Sequence, residues 1–186
     1  SPSRFPADWG KAKEKWAKRG YPLGIGPASF FGHTLQRWVG TENLCLLLYD
    51  DPAFVREILD YLGWFFLELL KPYVAQVDFD FASFGEDIAY KGRPFVSPAM
   101  FREFFIAEIV QECAWCGYAT YHLDGPKAMK SHLNTLLEVK EIANIEWTPG
   151  SGCPPTFTPE YIPLYRKIQA AGKRLAPDLS PDRTAG

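Results

Sequence analysis

The chain has 186 residues, 20 Lys and Arg against 22 Asp and Glu, and 47% hydrophobic residues. That is apolar material for one substantial core, and a net charge of -2 without a basic run argues against a nucleic-acid footprint. With 6 Trp, 9 Tyr and 14 Phe the chain is too aromatic to be disordered, and no apolar stretch reaches the roughly 18 residues of a membrane span.

Ser1 to Gly10 lacks the charged-then-apolar order of a signal segment. Four cysteines (Cys45, Cys113, Cys116, Cys153) are too few for a disulfide scaffold, so they are read as reduced and the compartment as cytoplasmic. Cys113-Ala-Trp-Cys116 has redox or zinc spacing. With no second such pair and no strand before it, two thiols on one helical face is the better reading.

Residues 1–20 read as a polar N-terminal helix from about Asp8 to Lys18, closed by Gly20. Tyr21 to Pro27 reads as a short strand. From Phe30 to Val74 the period is helical: Phe31, Leu35 and Trp38 share a face, Gly40 interrupts, and Asp50-Asp-Pro52 opens a long helix. Val77 to Phe84 alternates as a strand, and Gly85 to Ser97 reads as a loop. Ser97-Pro98 starts a helix to about Cys116. Strands at Tyr118–His122, Ala143–Trp147 and Lys173–Ala176 then alternate with helices at Lys127–Glu138 and Pro159–Ala171. His132, in mid-helix, is read as a surface residue. Residues 177–186 read as a disordered tail.

Five strands alternating with helices predict an α/β fold with a parallel sheet. It is either an open doubly wound sheet or about five of the eight strands of a (β/α)8 barrel, which needs at least about 200 residues when complete. In both, ligands bind at the carboxyl ends of the strands. Those ends carry Gly85-Glu86-Asp87, His122-Leu-Asp124-Gly125 and Glu146-Trp147. A Glu, a His with an Asp, and a Glu on successive strands make a candidate acid/base or metal cluster. The bland alternatives are helix capping by Asp124, pairing of Glu86 or Asp87 with Arg93, and a core histidine at 122. His122 and Asp124, two apart on a strand, project to one side and have usable metal spacing, with Cys153 as a further ligand and zinc as one candidate ion. Gly150-Ser-Gly152 could cradle an anion, but reads better as a flexible loop.

Four stretches carry a family resemblance: Gly26-Pro-Ala-Ser-Phe-Phe-Gly32, Leu48-Tyr-Asp-Asp-Pro-Ala-Phe-Val-Arg-Glu-Ile-Leu59, Gly85-Glu-Asp-Ile-Ala-Tyr-Lys-Gly-Arg-Pro-Phe-Val-Ser-Pro-Ala-Met-Phe-Arg-Glu-Phe104, and Tyr121-His-Leu-Asp-Gly-Pro126 with Ile145-Glu-Trp-Thr-Pro-Gly150. Over about residues 21–176 the chain resembles the uroporphyrinogen decarboxylase superfamily, which also holds corrinoid-dependent methyltransferases. The resemblance implies that residues 21–176 are the later part of a (β/α)8 barrel. It departs from the decarboxylase, whose arginine-rich first segment has no counterpart here and whose tyrosine after the Gly-Pro strand end is His33. It also departs from the thiol-directed methyltransferases, whose zinc-binding H-x-C is here His122-x-Asp124.

The resemblance favours methyl transfer from a small O- or N-methyl substrate to a thiol or to a corrinoid on a partner protein. Glu86, His122 and Asp124 would bind a metal or protonate the leaving group, and Glu146 would orient the substrate. His33, Tyr90, Trp147 and Arg93 would bind substrate, with Tyr90 and Trp147 as an apolar wall. Porphyrinogen decarboxylation, without a cofactor, is the alternative. It fits poorly because Lys91, Arg93, Arg37 and Lys127 face the carboxylates of Glu86, Asp87, Asp124 and Glu146. A third option is an inactive half-barrel acting by association, for instance as a homodimer.

Overall fold

The computed structural model describes residues 5, 7–26, 35–90, 93–113, 118–150 and 152–177. Helix α1 (Trp9–Ala17) leads into β1 (Gly24–Ile25), followed by α2 (Gln36–Val39), α3 (Thr41–Asp50), α4 (Pro52–Val74), β2 (Phe81–Phe84), β3 (Ala89–Tyr90), β4 (Arg93–Pro94), α5 (Pro98–Phe104), α6 (Ile106–Cys113), β5 (Ala119–Asp124), α7 (Pro126–Glu138), β6 (Ile142–Thr148), a short 3-10 turn, α8 (Ile162–Ala170) and β7 (Arg174–Pro177). From 36 to 74 the described residues are helical; Gly40, at φ 82°, ends α2, and Asp51 caps α4, its carboxylate accepting from the Phe54 N–H at 3.1 Å. Ser97 caps α5 by accepting from Met100 N–H at 3.2 Å, with Pro98 in the first turn.

The main sheet has five strands, all parallel, in the order β1-β2-β5-β6-β7. Neighbours in space are neighbours in sequence, the β3–β4 pair aside. A doubly wound sheet needs a point where the strand order reverses. None exists among the described strands. With right-handed crossovers, this order puts the connecting helices on one face of the sheet.

The residues agree. Period-two alternation sends Ala82, Phe84, Tyr121, Leu123, Ile145 and Trp147 to the helix face, where all are buried. Phe101 of α5 packs edge-on against Tyr121 with centroids 6.0 Å apart, and Tyr161 packs edge-on against Trp147 at 4.5 Å. The other face carries Ser83, Thr120, His122, Asp124, Asn144, Glu146 and Thr148, in register: Ser83 opposite Thr120, Thr120 opposite Asn144, His122 opposite Glu146, Asp124 opposite Thr148. Deep on that face Asn144 Nδ2 donates to Thr120 Oγ1 at 3.3 Å, so these two buried polar groups satisfy each other.

Several expectations need correction. Residues 85–97 are not simply a loop: β3 and β4 pair antiparallel, Ala89 with Pro94 and Tyr90 with Arg93. The helix after Ser97 is two helices, separated at Phe105. The first strand is short, Gly24–Ile25, and β2 starts only at Phe81. Trp38 does not share the buried face of Leu35, being 63% exposed against 1%. His132 is not on the surface: it is fully buried, its ring edge-on to Phe101 at 5.3 Å and its Nδ1 2.7 Å from Ser131 Oγ. Its spacing from Met129, Leu133 and Leu136 places it in the core stripe of α7.

Helix α1 docks on the end of α4. Trp9 Nε1 and Lys13 Nζ both donate to Gln76 Oε1, at 3.1 and 2.9 Å. Arg19 pairs with Asp80 at 2.6 Å, and Asp80 also accepts from Leu23 N–H at 2.7 Å, so its carboxyl stays below the ordinary carboxylate range. The expected tail after Pro177 lies outside the described residues, as do Phe31, Lys91 and Cys116.

Candidate active site at the strand carboxyl ends

β5 and β6 run side by side, so residues two apart on β5 and opposite on β6 converge. His122 Nε2 lies 3.0 Å from Asp124 Oδ1, and His122 Nδ1 lies 3.4 Å from Glu146 Oε1. The three side chains are 33%, 45% and 38% exposed, at a rim rather than in the core. Only the imidazolium has an N–H for each of two carboxylates. The hydrogen bond to Asp124 accordingly raises the His122 pKa above the ordinary histidine value, against burial and with help from the charges of Asp124 and Glu146. The protonated ring is thus favoured, and the group can act as a proton donor.

The backbone around it is tightly held. A Cβ on Gly85 would sit 2.9 Å from the His122 carbonyl oxygen and 3.0 Å from its Cβ, so only glycine lets the end of β2 approach β5 this closely. Gly125, at φ 74°, turns the chain into α7, and its N–H donates to Thr148 O at 2.9 Å, tying the ends of β5 and β6. No side chain caps α7; Asp124, which could have done so, is turned to His122 instead.

Glu86 follows the carboxyl end of β2. Its N–H donates to Tyr121 Oη at 3.3 Å. The Tyr121 phenol, fully buried on the helix face, is pushed well above its ordinary pKa by that burial, with the charges of Glu86 and Asp124 adding to it. Sequence reasoning missed that the Tyr121 hydroxyl, from the helix face, holds the backbone at Glu86. Asp87 is exposed, and its carbonyl accepts from Gln36 Nε2 at 3.4 Å.

Of the other expected residues, the structure separates Trp147 from this cluster. Trp147, expected as an apolar wall, is 1% exposed and packs on Tyr161 at the opposite face from Glu146. Arg93 is exposed on β4, opposite Tyr90 in the hairpin register. His33 and the side chain of Tyr90 lie outside the described residues. Cys153, on the loop after β6, is a free thiol near Tyr161, whose phenol pKa it helps burial to raise. Gly150 and Gly152, both at positive φ, form a turn in which Cys153 N–H donates to Gly150 O at 3.3 Å.

As arranged, the cluster does not fit a metal. Both His122 ring nitrogens face carboxylates, which leaves neither lone pair directed at an ion. Among the described residues no three or more His, Cys, Asp or Glu side chains are grouped to hold one. What the arrangement can do is deliver and recover a proton at a strand-end rim. No helix among the described residues is long and apolar enough to cross a membrane. No family model, curated protein or solved structure matches the chain.

Proposed function

We propose that the chain is the later part of a (β/α)8 barrel of the uroporphyrinogen decarboxylase superfamily, acting in methyl transfer, and that His122 is the acid of the reaction. The observation that carries this reading is the histidine held between Asp124 and Glu146 at the carboxyl ends of β5 and β6. The consecutive strand order and one-sided helix layer support the barrel.

When a methyl group leaves oxygen or nitrogen for a nucleophile, the bond's electron pair stays on the departing atom, which then needs a proton. His122 supplies it from an N–H, and the two carboxylates hold the ring oriented and reload it from water. Glu146 orients the substrate, and Glu86 adds negative charge to the rim. The acceptor is a thiol, or a corrinoid carried by a partner protein, with no metal bound by this cluster. Free thiols at Cys45 and Cys153 favour a reducing, cytoplasmic setting. The carboxylates that suit an acid repel a polycarboxylate substrate, so porphyrinogen decarboxylation is disfavoured.

The test is loss of methyl proton NMR signals from a panel of methoxy and methylamino compounds offered with a thiol or a reduced corrinoid. His122→Gln should slow the active member by about 10²–10⁴-fold with the melting temperature kept. The wild-type rate should fall as pH rises through the elevated His122 pKa. Unimpaired transfer by His122→Gln, or turnover of uroporphyrinogen instead, would overturn the reading.

A further inference from the structure

The opposite end of the sheet carries a concave surface. A cavity of about 440 Å³ opens at the amino ends of β5, β6 and β7, lined by Tyr118, Leu137, Lys140, Lys173 and Arg174 among others. This end is remote from His122 along the strands. Three of the lining side chains are cationic and none is acidic.

Part of this charge has a structural use. Lys173 is 8% exposed, and its ammonium donates to Val139 O and Ile142 O, both at 2.6 Å, where α7 ends. A cation at a helix carboxyl terminus is stabilising. That accounts for one cation of the three and fixes its position. Lys140 is exposed in the turn between α7 and β6. Arg174 opens β7, and its guanidinium lies over the Tyr118 ring, 5.1 Å from the centroid. The stacking holds the exposed Arg174 fork beside the cavity, with its N–H edges in the plane parallel to the ring face it covers. With Lys173 committed to those carbonyls, the exposed Lys140 ammonium and the oriented Arg174 guanidinium are the groups that would hold a ligand, and together they match a dianionic oxyanion better than a single carboxylate. Tyr118 and Leu137 add an apolar wall for an organic portion, and the volume lies in the range of small-molecule sites.

We propose that this cavity binds the phosphate group of a small organic phosphate. The site is independent of the methyl-transfer reading, because none of its residues belongs to the His122 cluster.

The test is titration calorimetry at low salt with phenyl phosphate, inorganic phosphate and phenol as probes. Phenyl phosphate should bind saturably and more tightly than inorganic phosphate, and phenol should not bind. The Lys140→Gln, Arg174→Gln double variant should lose at least about tenfold in affinity, and His122→Gln none. Should the double variant fail to melt cooperatively, Lys140→Gln alone carries the test, since its side chain is exposed, with about a threefold loss expected. Absence of saturation by either phosphate, equal affinity for the two phosphates, or unchanged affinity in the lysine variant would overturn the proposal.

Discussion

The two faces of the parallel sheet differ in what their residues are asked to do. The helix face is sealed: Tyr121, Leu123, Ile145 and Trp147 are each at most 1% exposed. One residue along each strand, the other face carries Thr120, His122, Asn144 and Glu146, and its titratable members are one-third or more exposed. A strand that alternates in this way gives the apolar side chains the work of stability and leaves the polar ones free to be held in a chemically useful arrangement. His132 and His122 show the contrast within one residue type. Burial keeps the His132 pKa below the ordinary histidine value, and Asp124 keeps that of His122 above it.

The largest break should come on the helix face. Trp147→Ala should cost about 3–5 kcal/mol by leaving a cavity against Tyr161. Trp147→Phe should cost less, because it also removes a buried indole N–H that has no hydrogen-bond partner among the described residues. Urea unfolding measures both.

Next comes Gly85→Ala. The added carbon meets His122 backbone, which cannot swing aside as a side-chain tip could, so a loss of about 1–3 kcal/mol is expected. The same variant should shift the His122 ring resonances, since the strand carrying it must move.

Smaller still is the opposed pH dependence of the two histidines. His122 has a raised folded pKa, so its contribution is complete below pH 6.5 and lost as pH rises through that raised value. His132 has a lowered one, so its contribution is present above pH 6.5 and lost as pH falls through its depressed value. Replacing His132 with Leu should flatten the acid side of the stability profile and leave the alkaline side unchanged. A steeper acid limb in that variant would contradict the assignment.

Much of the fold is legible in the sequence because the element signals are local. Pro52 after two aspartates, Ser97-Pro98, and the apolar stripe of α7 each specify a helix start or face without help from distant residues. The strand-end cluster is legible for the same reason, since His122 and Asp124 need only the period of a strand to share a side. What was misread depended on applying these periods throughout. Alternation that points Glu146 to the rim must send its neighbour Trp147 into the core. The helical period that buries Met129, Leu133 and Leu136 buries His132 with them. The pairing of β3 with β4 had no comparable signal, since each strand is only two residues long. The contact of Gly85 with the His122 backbone has no local signature, because it depends on how closely β2 and β5 pack.

The most direct test of the central claim, that Asp124 and Glu146 clamp His122 as an acid, is an NMR pH titration of the His122 ring in the wild-type protein and in Asp124→Asn and Glu146→Gln. The account predicts a wild-type midpoint above 6.5, a large fall in Asp124→Asn, where the hydrogen-bonded carboxylate is lost, and a smaller fall in Glu146→Gln. A wild-type midpoint at or below 6.5, or one that Asp124→Asn leaves in place, would contradict it.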